Sequence, residues 1–159
     1  MDDTNWGRAL RASLAQARVE AKQAGSRTLD AEHLLLALAA EADGEPARLL
    51  AAAGLDYDRL TDALRTERRQ SLAHAGIQPG EGSAPRPTDG TPVWATSAKE
   101  ALLRGKDVAT RRHRSQMGGT DVLVGILRAD LGTVPRALEF AGVDRAALLE
   151  RAARTVGAR

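Results

Sequence analysis

Apolar residues near the start of the chain recur at helical spacing. From about Trp6 to Ala24, the apolar positions Leu10, Leu14, Ala17 and Ala21 are three or four residues apart. This spacing places them on one face of a helix, with charged and polar residues on the other face. The pattern predicts an amphipathic helix over this stretch.

The next stretch has apolar residues on nearly every side of a helix. It begins near Asp30 and contains the apolar run from Leu34 to Ala40. A helix of this kind belongs in the middle of a bundle, where no face meets water. A short third helix is predicted over Pro46 to Ala53, since proline is favoured in a first turn, and a fourth helix continues to about Arg69.

The boundary between the third and fourth predicted helices carries specific turn residues. Gly54 fits the left-handed position after a helix C-terminus, and Leu55 would supply the apolar contact that accompanies it. Asp56 can cap the following helix, because its carboxylate accepts hydrogen bonds from free N–H groups at the helix start.

The same series of signals occurs twice. Gly54-Leu55-Asp56 matches Gly142-Val143-Asp144 at an offset of 88 residues, and Trp6 matches Trp94 at the same offset. The second-helix motif from Ala31 to Leu38 matches Thr120 to Leu127 at an offset of 89, which implies a loop that differs by one residue. Similarity at several separate points in the same order indicates a duplicated unit.

The pattern therefore predicts four helices in the second unit as well, over Ser97 to Thr110, Gly119 to Ala129, Val134 to Ala141, and Asp144 to Thr155. Residues 70–91 are rich in proline and glycine, which predicts a mobile linker or surface loop. The sequence predicts one all-α domain, residues 1–159, made of two pseudo-symmetric four-helix repeats at 4–69 and 92–156.

Composition narrows the function classes. The formal net charge is +2, from 23 basic and 21 acidic residues, so nucleic acid and anionic lipid are not expected partners. The absence of cysteine excludes disulfides, thiol catalysis and cysteine-based zinc sites. The N-terminal residues lack a signal-peptide pattern and the longest apolar run is too short to span a bilayer, so we expect a cytoplasmic protein.

These motifs resemble a known family. Val19-Glu20-Ala21-Lys22, followed after six residues by the run from Leu29 to Leu38, resembles the Clp N-terminal (Clp R) repeat. The second unit keeps Gly119-Thr120-Asp121 and the apolar run after it, and the segment from Trp94 to Lys99 resembles the opening of the family's second repeat. The resemblance is closest to N-domains of the ClpC type.

The resemblance implies eight helices and a role in capturing substrates or adaptors for a AAA+ unfoldase. The chain contains no G-x-x-x-x-G-K-[ST] phosphate-binding loop, so we expect either a stand-alone domain, without the AAA+ modules, or a fragment of a longer protein. We expect a non-catalytic protein- or peptide-binding module that needs no cofactor or metal, and that either recognises substrates and adaptors or sequesters ligands of the full-length unfoldase. The expected partners are protein substrates, adaptors and components of the Clp unfoldase or protease.

Two acidic residues are candidate ligand contacts. Glu32 and Asp121 are interpreted as equivalent residues at equivalent helix starts. In ClpC-type domains this acid is implicated in binding phosphoarginine, so the resemblance implies that both carboxylates hold a guanidinium. Thr120 and nearby amides would then receive the phosphate, with Lys99 as a further candidate. The alternative is that both acids only stabilise their helix starts, which needs no ligand.

The tryptophans form a second candidate site. Trp6 and Trp94 are expected to border one groove between the repeats, with Arg11, Lys99 and Leu102 on the same helices. The resemblance implies that this groove accepts peptides, adaptors and hydrophobic cyclic peptides. The alternative is that both rings only pack in the core.

Other polar residues give weaker signals. Arg111, Arg112 and Arg114 form a basic loop, and a regulatory domain that has lost its peptide site and binds nucleic acid through this loop is the alternative function. His33 is predicted to be a structural hydrogen-bonding residue. His74 and His113 lie apart from it, with no metal-ligand or catalytic spacing.

Overall fold

The chain is built almost entirely of α-helices. A computed structural model describes residues 7–77, 86–113 and 116–158. The elements in these ranges are α1 Arg8–Gln23, β1 Thr28–Leu29, α2 Ala31–Ala40, α3 Glu45–Ala52, α4 Tyr57–His74, β2 Val93–Trp94, α5 Thr96–Arg111, α6 Gly119–Leu127, α7 Thr133–Phe140 and α8 Arg145–Gly157. The predicted all-α class is confirmed. None of these helices combines the length and the apolar character that crossing a bilayer requires.

The two repeats have the same register throughout. The four pairs of equivalent helices, α1 and α5, α2 and α6, α3 and α7, and α4 and α8, each begin at an offset of 88 residues. The expected offset of 89 for the second helices, with a loop of different length, is therefore wrong. Because α2 begins at Ala31 and α6 at Gly119, Glu32 corresponds to Thr120, and His33 corresponds to Asp121.

The turn residues at the third and fourth helices behave as predicted. Gly54 and Gly142 both have positive φ, at 78° and 68°. After α3, the Leu55 N–H donates to the Leu50 carbonyl at 2.9 Å, and the Leu55 side chain is fully buried. Asp56 caps α4 by accepting a hydrogen bond from the Arg59 N–H at 2.9 Å. This combination of a left-handed glycine and an apolar contact closes the helix.

The core lies around α2 and α6, the second helix of each repeat. In α2 nearly every residue is buried, and residues 121–127 of α6 are all buried. The predicted central position of the second helices is confirmed. The first and fourth helices pack around them through leucine and alanine, because bulky aromatic residues are scarce in the chain.

The segment before α5 is tied to the first repeat. β1 and β2 pair in parallel, with Thr28 opposite Val93 and Leu29 opposite Trp94. Upstream, the Thr88 N–H donates to the carbonyl of Lys22 at 3.2 Å. The predicted mobile linker is thus attached to the first repeat over these residues, while residues 78–85 lie outside the described ranges.

The fourth helix is longer than predicted. The α4 helix continues to His74 rather than ending near Arg69. Its end, residues 70–74, falls in the stretch assigned to the linker because of its proline and glycine content. Those residues are mostly exposed, so helix propensity rather than core packing extends the helix.

Candidate functional site

The start of α2 is held by polar contacts from both repeats. The Asp30 carboxylate accepts a hydrogen bond from the Thr28 hydroxyl at 2.6 Å and another from the Ser97 hydroxyl at 2.9 Å. The Ser97 oxygen in turn accepts a hydrogen bond from the Ala31 N–H at 3.1 Å. Ser97 lies in the first turn of α5, so the start of α2 is anchored to the start of α5.

His33 completes this helix start. Its Nδ1 accepts a hydrogen bond from the Asp30 N–H at 2.9 Å, which is the reciprocal contact of a capping box. Burial lowers the pKa of His33, so at neutral pH the ring is neutral and carries its proton on Nε2. The prediction of a structural histidine is confirmed.

The start of α2 also brings three possible metal ligands together. Asp30, Glu32 and His33 offer ligand atoms that lie within 4.8 Å of one another. A metal ion would need the Nε2 lone pair, but Nε2 carries the proton while Nδ1 caps the helix. The positive end of the α2 dipole also disfavours a cation. The cluster fits a helix start better than a metal site.

A pocket of about 400 Å³ opens beside the start of α2. We call it the repeat-1 pocket. It lies between α1, α2, α4 and the start of α7. The residues that line it are Glu20, Gln23, Ala24, Glu32, His33, Leu36, Tyr57, Thr61, Leu64, Arg65, Glu67, Arg68 and Thr133.

Two of the three acids in this pocket already have partners. Glu20 is buried and accepts hydrogen bonds from the Gln16 amide and the Tyr57 hydroxyl, both at 2.8 Å. Glu67 is also buried and accepts from the Ser71 hydroxyl at 2.6 Å and from Arg136 Nε at 2.8 Å. These hydrogen bonds offset the cost of burying two carboxylates.

Glu32 is the acid that lacks such a partner. It is half-buried, and in the described part of the chain no other residue forms a hydrogen bond or ion pair with its side chain. Burial raises the pKa of Glu32 from 4.5 to about 7; its own backbone N–H and Arg68 lower it, while the charges of Asp30 and Glu67 add to the rise. A cation entering the pocket would stabilise the ionised form of this carboxylate.

Asp121 does not form a second site of the same kind. It is fully buried, and its Oδ2 accepts a hydrogen bond from the Gly118 N–H at 2.8 Å. This is the role that His33 plays in α2. The interpretation of Asp121 as the counterpart of Glu32 is wrong, because Thr120, which is half-buried, occupies that position.

The predicted groove residues are only partly brought to one surface. Trp94 is half-buried against the core, and the Arg18 guanidinium lies 5.8 Å from its ring centre. Arg11 and Lys99 are exposed at equivalent positions of α1 and α5. Leu102 is 1% exposed and so cannot line a groove, which corrects that expectation. Trp6 lies outside the described residues.

The basic loop is also only partly described. Arg111 pairs with Asp107 at 2.8 Å, and Arg112 is exposed at the end of α5. Arg114 lies outside the described residues.

Sequence reasoning missed the residues that shape the repeat-1 pocket. Glu20 lies on the apolar face of α1, and a carboxylate on such a face signals a buried partner. Tyr57 is the single tyrosine of the chain, which could also have drawn attention to it. Glu67 carried no comparable signal, because its partner Arg136 comes from the other repeat.

Known proteins resemble this chain in sequence. The Clp repeat (R) N-terminal domain family matches residues 7–91, which is more than half of the chain. A chaperone protein ClpB of Oceanobacillus iheyensis is 26% identical over 131 residues. The negative regulator of genetic competence ClpC/MecB of Bacillus subtilis is 28% identical over 131 residues. Each alignment covers 82% of this chain, and the chain spans only 14% of the length of either relative.

Solved structures resemble it in fold. The N-terminal domain of the caseinolytic-protease-associated chaperone ClpD from Arabidopsis thaliana superposes with a TM-score of 0.73 at 20% identity, covering 98% of this chain and 96% of that one. A ClpV N-domain, solved in complex with a VipB peptide, has a TM-score of 0.61 at 17% identity, covering 96% and 88%. The duplicated helices, their common register and these matches agree: the chain belongs to the Clp repeat (R) N-terminal domain family.

Proposed function

We propose that this chain is a non-catalytic binding module of the Clp chaperone–protease system that recognises segments of substrate or adaptor proteins. Membership of the Clp R family supports this proposal, as does the fold shared with a ClpV N-domain that binds a VipB peptide. The chain spans 14% of the length of either curated relative, and the proposal concerns this domain alone.

The observation that carries the proposal is the unpaired Glu32 carboxyl in the repeat-1 pocket. Its neighbours Glu20 and Glu67 each accept two hydrogen bonds from side chains, whereas Glu32 accepts none from any other residue that the structure describes. A guanidinium would satisfy it through charge-assisted hydrogen bonds. The family resemblance makes phosphoarginine on a partner protein the proposed ligand.

The phosphate of such a ligand needs its own donors. The start of α5 lies beside the start of α2, because Ser97 contacts both Asp30 and Ala31. Lys99 follows two residues later and is exposed. We assign the phosphate to Lys99 and to free backbone N–H groups at the helix starts. Asp121 is buried, so the proposal places one such site in the domain, in repeat 1.

Calorimetry with free phosphoarginine tests this site. Wild type should release heat, Glu32→Gln should bind at least about tenfold more weakly through loss of a charge-assisted contact, and the exposed control Glu139→Gln should match wild type. Arginine and inorganic phosphate, titrated separately, show which half of the ligand contributes. If wild type gives no binding heat at millimolar phosphoarginine, the phosphoarginine proposal is wrong.

The surface around Trp94 supports a second binding mode. Its half-buried ring lies under the Arg18 guanidinium, with Lys99 exposed nearby along α5. The accessible part of the half-buried ring offers apolar surface to hydrophobic peptides, including cyclic ones. Tryptophan fluorescence during titration with such a peptide should change in wild type and change less in Trp94→Phe. An unchanged spectrum in wild type would contradict this mode.

A further inference from the structure

Repeat 2 has an open pocket of about 410 Å³ at the position of the repeat-1 pocket. It lies between the ends of α5 and α8 and the second half of α6. Five of its lining residues correspond, at the offset of 88, to residues that line the repeat-1 pocket. The pairs are Val108 with Glu20, Arg111 with Gln23, Arg112 with Ala24, Val124 with Leu36, and Ala153 with Arg65. Both repeats therefore have a pocket at the equivalent position, with different lining residues.

The two versions differ in charge. Three carboxyl groups and two arginines, Arg65 and Arg68, line the repeat-1 pocket, whereas the described lining of the repeat-2 pocket contains no acid and three arginines, Arg111, Arg112 and Arg128. Val108 is buried where repeat 1 has the buried Glu20. We call this second site the arginine pocket.

Two of its guanidinium groups are unpaired. Arg111 forms an ion pair with Asp107 at 2.8 Å. Arg112 and Arg128 have no ion pair or side-chain hydrogen bond within the described residues. Arg112 lies against Gly157, where a Cβ atom would collide with its guanidinium. The glycine therefore leaves room for this side chain at the pocket.

Helix dipoles account for part of this charge. Arg112 and Arg128 are the C-cap residues of α5 and α6, and α8 ends at Gly157. Each helix C-terminus carries roughly half a negative charge, so three of them offset about one and a half positive charges. The two unpaired guanidinium groups exceed that amount, so the pocket remains able to attract an anion.

We infer that the arginine pocket binds a carboxylate on a short aliphatic stem, namely a glutamate side chain in an acidic segment of a partner protein. Ala153, which is half-buried, and the edge of Val108 give an apolar surface for the methylene groups, whereas Val124 is fully buried. Arg112 and Arg128 give planar donors that match a carboxylate. No aromatic side chain lies in the described lining, so the stacking that single-stranded nucleic acid uses is missing.

The test is a fluorescence-anisotropy titration of the full chain with a labelled glutamate-rich peptide. The pocket variant replaces both unpaired arginines, as Arg112→Gln with Arg128→Gln. The control variant, Arg59→Gln with Arg69→Gln, removes two exposed arginines from α4 and so has the same net charge. Circular dichroism melts establish that both variants are folded.

Binding to wild type and to the control, with at least about tenfold weaker binding to the pocket variant, is expected, since charge-assisted hydrogen bonds are roughly twice as strong as neutral ones. A glutamine-rich peptide of equal length should not bind. Equal loss in both variants would show general charge attraction and overturn the proposal. Lack of binding to folded wild type would overturn it as well.

Tighter binding of a labelled single-stranded DNA than of the peptide, lost in the pocket variant, would replace the proposal with nucleic-acid recognition. None of these outcomes depends on Glu32, so the experiment tests the arginine pocket independently of the proposed phosphoarginine site.

Discussion

Arg136 donates a hydrogen bond from Nε to Oε1 of Glu67 across 2.8 Å, and this ion pair joins α7 of repeat 2 to α4 of repeat 1. The Glu67 side chain is 4% exposed and that of Arg136 is 52% exposed. Arg48 is the equivalent of Arg136 in repeat 1, but within the described ranges its side chain donates only to the Asp43 carbonyl, at an exposed position. The pseudo-symmetry of the helices therefore does not extend to their ion pairs.

Replacing Arg136 with methionine should lower the free energy of unfolding by about 1–3 kcal/mol, because the buried Glu67 carboxylate would keep only its Ser71 hydrogen bond. Urea unfolding measures the change. The matched control is Arg48→Met, which should change stability by less than about 0.5 kcal/mol, as expected for a surface position. Equal effects of the two substitutions would contradict the role assigned to Arg136.

Replacing Tyr57 with phenylalanine should lower the free energy of unfolding by about 1–3 kcal/mol at neutral pH, because buried Glu20 would lose one of its two donors. Urea unfolding again gives the value. Thr155→Val, which removes a hydroxyl that donates to the Arg151 carbonyl within α8, serves as the control and should cost less.

Tyr57 also predicts a change in stability at high pH. Burial and the hydrogen bond to Glu20 raise the pKa of Tyr57 from 10.0 to about 12. A raised folded-state pKa means that the stabilisation is present below the unfolded pKa and is lost as pH rises from about 10 to about 12. Tyrosinate absorbance reports this group alone, since the chain has one tyrosine. Titration of the folded protein near pKa 10.0 would contradict the prediction.

The Glu32 carboxyl also predicts that stability falls as pH rises, but over a lower pH range than for Tyr57. Because burial raises the pKa of Glu32 from 4.5 to about 7, its favourable contribution is complete below pH 4.5 and is lost as pH rises to about 7. Glu32→Gln removes the ionisation. At about pH 8 the free energy of unfolding of this variant should be about 1–2 kcal/mol higher than that of wild type, after discounting for the partial exposure of Glu32. The two proteins should have similar stability below pH 4.5. Glu139→Gln, at an exposed site, should show neither effect.

Binding of a guanidinium at Glu32 should depend on pH in the opposite direction to stability. The ionised carboxylate is the form that attracts a cation, so affinity should rise as pH increases through about 7. Calorimetry with arginine as the ligand avoids the titration of a phosphate group. An affinity that stays constant across this range would show that the ligand does not contact Glu32.

The contact between α5 and α6 depends on two glycines. A Cβ at Gly125 would lie 2.1 Å from the Ala101 carbonyl oxygen, and one at Gly105 would lie 2.9 Å from that of Asp121. The equivalent positions of repeat 1, Ala37 and Ala17, hold alanine. Gly125→Ala should therefore lower the free energy of unfolding by about 1–3 kcal/mol through overpacking. Gly90→Ala, where the added Cβ meets open space, should leave the urea midpoint nearly unchanged.

Much of the fold follows from local signals. Helical spacing, Gly54 and Asp56 predicted where helices begin and end, and most observed ends lie within two residues of the prediction. Those signals act within one or two turns of helix, so a single sequence contains them in full. The end of α4 is the exception, because exposed residues continue a helix without any apolar pattern.

The register of α6 shows where such reasoning fails. Matching by residue type pairs Asp121 with Glu32, because both are acidic. The backbone hydrogen bonds pair Asp121 with His33 instead, because both side chains accept from the N–H at the start of their helix. Only the position of the first helical turn distinguishes these alignments, and a one-residue shift on a helix moves a side chain by about 100°.

The sequence by itself determined the class of fold, the duplication and the family, because these depend on residue spacing along the chain. The tertiary structure decided which charged residues share a pocket. Glu20, Glu32 and Glu67 lie on three different helices, and the donor that pairs with Glu67 lies on a fourth, in the other repeat. Burial and charge pairing arise from helices meeting in space, so neither can be read from the spacing of residues on any one of them.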